Sequence, residues 1–420
     1  MTVSTADNHS GLSQSPAPIW TKDFLLFCFA NLLNSIAFYC SMPVFPLLVS
    51  DSFGLTGIAL GLVVGMYTVS AILTRPPTGY ALDTIGRRPV LFVGALFFSS
   101  MYFFYPHASS AIMIALIRFC HGALWGVTMG SINTAIIDIL PASRRGEGIG
   151  YFGLTMIFGM ALGPALGAFV QEHYGFTVLF NLAGIITCLG FACILFVKFP
   201  HIPKRNHPLS LSVLFEKTSF PISLTIFFMT VPYGTIMNFT ASYARTIPEA
   251  QLPHFFLALA VGTAVARFMA GRIFDRSGPS RIMHGCFASL AAALIMLALY
   301  PSATLFPLAG FIYGIGFGIG VPVCQAMINA LVPAQRRGSA NATFMTAFDC
   351  GIFIGLLLTS ALQEQFGWAG AYVSLAGAIL ISGLVFFSIA LKRYNNHCHL
   401  VAMTSEMEKC PHHQSYSLKK

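Results

Sequence analysis

The stretch RPPTGYALDTIGRR, residues 75–88, joins the end of an apolar run to a doubly basic turn, and its reading decides the fold. Arg75, Gly79, Asp83 and Gly86 recur as Arg267, Gly271, Asp275 and Gly278, each displaced by 192 residues. The same displacement takes Gly122 and Gly126 to Gly314 and Gly318, Arg144 and Arg145 to Arg336 and Arg337, and Gly159 and Gly163 to Gly351 and Gly355. Glu172 and Gly175 become Glu364 and Gly367, so no insertion interrupts the match. A period of nearly half the chain is an architecture of two equivalent halves.

Composition sets the class of those halves. Of 420 residues 56% are hydrophobic and 9% charged, against about 25% charged in an ordinary soluble domain. One aqueous core cannot hide so much apolar surface, and the chain is expected in a lipid bilayer. The net charge of +9 does not point to nucleic acid, because the basic residues lie between apolar runs rather than on one exposed face. Most of the ten cysteines fall inside apolar runs, which is no disulfide framework.

Residues 1–22 are polar and rich in Ser and Pro, and lack the positive leader of a secretory signal; they read as a disordered tail before an uncleaved first span. Twelve apolar runs follow, at 24–49, 57–82, 90–105, 111–140, 149–170, 178–197, 220–243, 254–274, 282–299, 306–331, 340–362 and 371–391. They are numbered here as spans 1 to 12, and about 20 residues suffice to cross a hydrocarbon core. Basic loop residues, Arg87, Arg88, Arg144, Arg145, Arg336 and Arg337 among them, fall on the side that holds both termini. The opposite side carries Arg245 alone, so both termini are expected in the cytoplasm. The expected organisation is an N-terminal six-helix bundle at 23–197, a basic cytoplasmic linker at 198–219, a C-terminal bundle at 220–391 and a cytoplasmic tail at 392–420.

The repeated loop resembles the signature between helices 2 and 3 of the major facilitator superfamily. The resemblance, to the bacterial proton-coupled efflux branch, covers 20–393 and implies an all-α fold of two pseudo-symmetric six-helix bundles. It further implies a cytoplasmic gate built from Gly79, Asp83, Arg87 and Arg88, with Asp138 pairing Arg87, and from Gly271 and Asp275 in the second copy. Gly79 would permit close packing, and Asp83 would cap a helix of the other half. Thr84 departs from the family, which usually has a basic residue there. Gly159, Gly163, Pro164 and Gly167 in span 5 are similar to the family's antiporter signature, with Ala168 where a second Gly is usual, and would place a pliable helix at the junction of the halves. Leu356 replaces the proline in span 11, so the signature belongs to the first half.

The residues that break the repeat carry the chemistry. Arg118 lies seven residues into span 4, roughly 10 Å from its outer end, in a run resembling the family's helix 4 signature, with His121 for the usual Gln and Leu124 for a Gly. A charge there costs about 2.5 to 3.5 kcal/mol or more and should face the bundle interior with a partner. Its repeat equivalent is Gly310, so symmetry does not require it. It is read as serving proton coupling or an anionic substrate, the alternative being an Arg that snorkels to the interface. Asp349 is the carboxylate placed near the middle of a span, where its equivalent is Ile157. Low dielectric disfavours an ionised acid, which suits a proton carrier. If the Gly351 face packs on the other half, Asp349 points away from that seam. His121, one turn from Arg118, is a candidate relay or a packed histidine. Asn31, Asn34, Asn133, Asn238, Gln325 and Asn329 fall on the spans that line the cavity in the resembled fold.

The tail holds His397, Cys398, His399, Cys410, His412 and His413 without the spacing of a closed metal site, and no metal is assigned. No stretch reads as a nucleotide-binding loop. These features describe a transporter and not an enzyme, needing no cofactor and driven by the proton gradient. Its expected partners are a small-molecule substrate and the bilayer of the bacterial cytoplasmic membrane, with no nucleic acid, and it is expected to act as a monomer. Export by proton antiport with alternating access is the leading expectation; a proton-coupled importer of a sugar or organic anion, and a non-transporting membrane sensor, are the alternatives.

Overall fold

Hydroxyl caps open two helices of the first half. Thr21 accepts from the backbone N–H of Phe24 at 3.2 Å and starts α1, Lys22–Ser41; Ser110 does the same for Met113 at 3.2 Å and starts α5, Ala111–Ile139. The computed structural model describes residues 18–141, 144–199, 216–333 and 336–397, without the side chains at 146, 271, 272 and 274–277. The expectations for residues 1–17, most of the linker, the Cys398 to His413 donors and the Gly271 and Asp275 gate copy lie outside the described residues and side chains.

Between α1 and α5 come α2, Phe45–Phe53, α3, Gly57–Thr84, and α4, Arg87–Met101. After α5 follow α6, Arg145–Leu195, α7, Phe220–Ala244, α8, Leu252–Leu299, α9, Leu305–Leu331, and α10, Arg337–Val385. These helices are apolar on every side, as buried and lipid-facing spans are. Ile112, Phe268 and Leu384 are 74%, 70% and 70% exposed, tolerable only where lipid covers them.

Ten helices among the described residues are long and apolar enough to cross a membrane. Two of them, of 49 and 61 residues, are far longer than one crossing needs. They break at Gly175 (φ 80°) and Gly367 (φ 69°), where the left-handed backbone admits glycine without a Cβ penalty. The breaks fall between spans 5 and 6 and between spans 11 and 12 as read in the sequence. Gly175 and Gly367 are repeat equivalents, as are Gly86 and Gly278, which also have positive φ.

Contacts obey the repeat as well. A Cβ on Gly122 would strike the Tyr67 carbonyl, and one on Gly314 would strike the equivalent Leu259 carbonyl. Such close approach is what holds helices where lipid supplies no hydrophobic drive. Gly159, Gly163 and Gly167 pack on Ser35, Tyr39 and Cys40 of span 1, inside their own half, on a helix that also meets α8 of the other half. Gly351 and Gly355 pack likewise on Phe227 and Val231 of span 7, which leaves Asp349 facing the opposite half.

The seam between halves uses a different glycine ladder. Gly57, Gly61 and Gly65 line one face of span 2, and span 11 lies against them. A Cβ on Gly61 would stand 2.9 Å from the Leu356 carbonyl and the Ser360 hydroxyl, and one on Gly65 would stand 2.7 Å from the Phe353 ring. Two polar contacts close the seam on the side opposite the termini. Thr56 donates to Glu364 at 2.7 Å, and Arg245 pairs with Asp51 at 2.9 Å.

Candidate functional site

Following the span 2 ladder toward the termini leads to Arg75. Its Nη2 lies 2.7 Å from Oδ2 of Asp349 on span 11, with 28% and 10% of the two side chains exposed. Arg75 Nε and Asp349 Oδ2 have no aligned hydrogen-bond partner, so the contact is an ion pair without a network to fix it. Sequence reading quoted Arg75 as part of a loop motif and missed it as a charge inside a span. The signal was available, because Arg75 stands about 13 Å before the end of α3 by helical rise.

Arg118 is placed elsewhere. It is 2% exposed, and its Nε and Nη2 donate to the Val64 carbonyl at 3.0 and 2.6 Å. Its guanidinium lies 4.1 Å from the Phe45 ring centre and 5.2 Å from that of Tyr67. The Tyr105 hydroxyl interacts with it too. These are a carbonyl dipole and aromatic faces, which can hold a desolvated guanidinium; no carboxylate pairs with it among the described residues. His121 sits in the same aromatic box, 3.0 Å through Nδ1 from the Tyr105 hydroxyl, with Nε2 unpartnered.

The free space beside Arg118 and His121 is about 10 Å³, barely a water's room. No substrate fits there. Val64 and Arg75 are eleven residues apart on α3, roughly 16 Å along its axis. Arg118 and Asp349, expected to act together, are therefore not brought together: one is sealed inside the first half and the other lies on the seam. A larger cavity of about 290 Å³ lies on the side opposite the termini, with Asp51, Thr56, Phe239, Arg245 and Ser360 in its lining.

The repeated loop forms a brace within the first half. Arg87 donates to the Leu82 carbonyl at 2.8 Å, to Asp83 at 3.0 Å and to Asp138 at 3.2 Å, tying the end of span 2 to the end of span 4. Arg88 instead lies over the Phe92 ring, 5.1 Å from its centre. Gly79, expected to allow close packing, has no described atom within 4 Å of where a Cβ would stand.

The amides divide. Asn31 donates to Thr155 of span 5 at 2.7 Å, and Asn34 lies against Gly190 of span 6, so both face their own half. Asn238 bonds back to the Gly234 carbonyl at 2.8 Å and is 1% exposed. Asn133 is exposed. Gln325 and Asn329 are joined through Asn341, at 3.4 and 3.1 Å, a residue the sequence reading did not single out. Among the described residues no group of three or more His, Cys, Asp or Glu side chains is arranged to hold a metal ion.

Two helical halves with equivalent contacts, apolar outer faces and an ion pair on the seam between them define a multi-pass membrane transporter rather than an enzyme. The model of the Major Facilitator Superfamily matches residues 27–247 and 221–397, and the chain belongs to that family. It is 25% identical over 377 residues to the quinolone resistance protein NorA of Staphylococcus aureus (strain Mu50), covering 86% of this chain and 96% of that one. It is 24% identical over 402 residues to the multidrug resistance protein MdtG of Klebsiella pneumoniae (strain 342), covering 91% and 97%. Among solved structures it resembles peptide transporter POT in complex with sulfate (TM-score 0.74, 14% identity, 91% and 97% covered) and nucleoside transporter NupG (TM-score 0.71, 14% identity, 87% and 99% covered).

Proposed function

We propose that the protein exports a small molecule across the bacterial cytoplasmic membrane in exchange for protons, by alternating access between bundles 23–197 and 220–391. The observation that carries this reading is the Arg75–Asp349 pair, a protonatable contact set on the seam between the halves. While Asp349 is ionised the pair holds spans 2 and 11 together; a proton on Asp349 removes one charge and with it the hold. Among the described residues, Tyr67 on span 2 and the adjacent Cys350 also interact electrostatically with Asp349. Antiport follows if substrate binds the deprotonated, inward-open form and the proton is taken up once the halves have rocked outward.

Export is supported by the resistance named in the NorA and MdtG relatives and by the antiporter-like glycine run of span 5. The basic loops support cytoplasmic termini, which makes the Asp51–Arg245 and Thr56–Glu364 contacts the outer closure. The cycle draws on the proton gradient, needs no cofactor and is complete in one chain. Arg118 and His121 fix the outer part of the first bundle. The test begins with cells with and without the gene, compared for sensitivity to quinolones and dyes and for excreted metabolites. Purified protein in oriented liposomes should then expel the compound so found under an imposed pH gradient. A rate unchanged when the gradient is collapsed rules out proton coupling, and accumulation in the import direction rules out export.

A further inference from the structure

Arg75 and Arg267 occupy the same place in the two repeats, but only one of them has an acid. Arg75 meets Asp349 of span 11; in span 5 the position equivalent to Asp349 holds the buried side chain Ile157. Arg267 accordingly pairs with no carboxylate among the described residues. Its Nη1 reaches span 5 of the other half, 3.5 Å from where a Cβ on Gly153 would stand. The guanidinium interacts electrostatically with Tyr39 of span 1 and Tyr233 of span 7, while the residue as a whole is exposed. A cation met by both halves lies where they adjoin.

Two further observations concern its neighbours. Tyr39 is 2% exposed, and its hydroxyl interacts with Tyr233 and, electrostatically, with Arg267. Tyr233 is stacked on Phe317, with ring centres 4.0 Å apart and planes 2° apart. Span 4 carries Trp125 at the repeat equivalent of Phe317, stacked on Phe38 at 4.3 Å and 7°. Each half thus carries a stacked aromatic pair, and Phe38 adjoins Tyr39 in the chain.

We propose that Arg267, Tyr39 and Tyr233 form the anion subsite of the transported substrate, and that the substrate is a planar aromatic acid whose carboxylate supplies the charge that Ile157 withholds. The proposal rests on the transporter reading above and deepens it. The guanidinium gives paired N–H donors that match a carboxylate, the two hydroxyls complete its coordination, and the ring lies against the stacked aromatic pairs.

The test measures binding without any gradient. Protein in nanodiscs is dialysed to equilibrium against labelled 2-naphthoate and its neutral isostere 2-naphthamide at one pH. Wild type should bind the acid roughly ten- to a hundredfold more tightly than the amide. Arg267→Gln should remove that advantage, leaving acid and amide bound about equally, whereas Arg267→Lys should keep a preference for the acid and shows that the site folds. Ile157→Asp should also remove the advantage, by giving Arg267 an internal partner. Equal affinity of wild type for acid and amide, no binding of either, or an acid preference that survives Arg267→Gln would overturn the proposal. Binding that behaves as expected in a protein whose flux ignores the pH gradient would refute antiport alone.

Discussion

Arg75 of span 2 and Asp349 of span 11 meet at 2.7 Å across the seam between two halves of one chain, at the end of a ladder in which Gly57, Gly61 and Gly65 bring the same two helices into contact. The ladder and the pair differ in kind. Glycine contacts are short-range and insensitive to solution conditions, while the pair depends on the charge of a carboxylate. One seam therefore combines close backbone packing with a contact whose strength depends on a charge.

Asp349→Asn should leave substrate binding intact and abolish acceleration of flux by a pH gradient. Arg75→Gln should do the same, since either change removes the charge-dependent hold. Combined in one protein, the two substitutions should cost less stability than the sum of their separate costs, with a coupling on the order of 0.5 to 3 kcal/mol. Melting of the four proteins in detergent measures this. Strict additivity would mean that the pair contributes nothing.

Gly61→Val should drive spans 2 and 11 apart, because the Leu356 carbonyl is backbone and cannot give way. Overpacking of this kind typically costs about 1 to 3 kcal/mol. The structural readout is a cysteine replacing Thr56, whose contact with Glu364 closes the outer side. Labelling of that cysteine by an impermeant maleimide should be faster when Gly61→Val is also present than when it is not. Gly79→Ala, at a site with open space, should change neither stability nor labelling.

The fold was legible because a membrane writes it in large letters. Runs of apolar residues, basic loops on one side and a repeat displaced by 192 residues all survive in one dimension, and the contacts of Gly122 and Gly314 show that the repeat is kept in three. The chemistry was less legible. Asp349 and Arg118 stood out as charges in apolar runs, but their partners are distant in sequence, and the carbonyl and rings around Arg118 leave no charge pattern to read. Arg267 was visible only as the echo of Arg75. Its proposed role came from the acid absent opposite it, where Ile157 stands, and from the hydroxyls of Tyr39 and Tyr233, which no periodicity announces.

Just before span 7, Glu216 is a carboxylate held in its charged form. It is 3% exposed; its carboxylate accepts from the Thr218 N–H at 3.0 Å and lies 3.1 Å from Arg336, while its own N–H donates to Thr343 at 2.9 Å. The hydrogen bonds from Thr218, and then the charges of Arg336 and Arg393, hold its pKa below the usual carboxylate value. A folded-state pKa below the unfolded one contributes stability above the unfolded value, about 4.3, which is lost as pH falls through the folded value. Glu216→Gln should therefore melt lower than wild type at pH 7, with the difference shrinking toward zero in strong acid. A difference that persists unchanged there would show that packing, and not charge, accounts for it.

Arg87 offers the converse case, a charged residue whose loss should spare coupling. Its three bonds all lie within the first half, to the Leu82 carbonyl, Asp83 and Asp138, so it braces span 2 against span 4 without crossing the seam. Removing the guanidinium leaves two carboxylates beside each other and a carbonyl that has lost a donor. With 20% of its own side chain exposed, 37% of Asp83 and 18% of Asp138, the brace sits between a solvated pair and a buried one, and Arg87→Ala should cost about 1 to 3 kcal/mol. Arg87→Lys should recover only part, because an ammonium cannot span both acids and the carbonyl with the geometry of the planar fork. Flux should fall with the loss of folded protein in both variants, yet its ratio with and without a pH gradient should stay that of wild type, unlike that of Asp349→Asn. A changed ratio in a well-folded Arg87→Lys protein would move proton coupling from the seam to the loop.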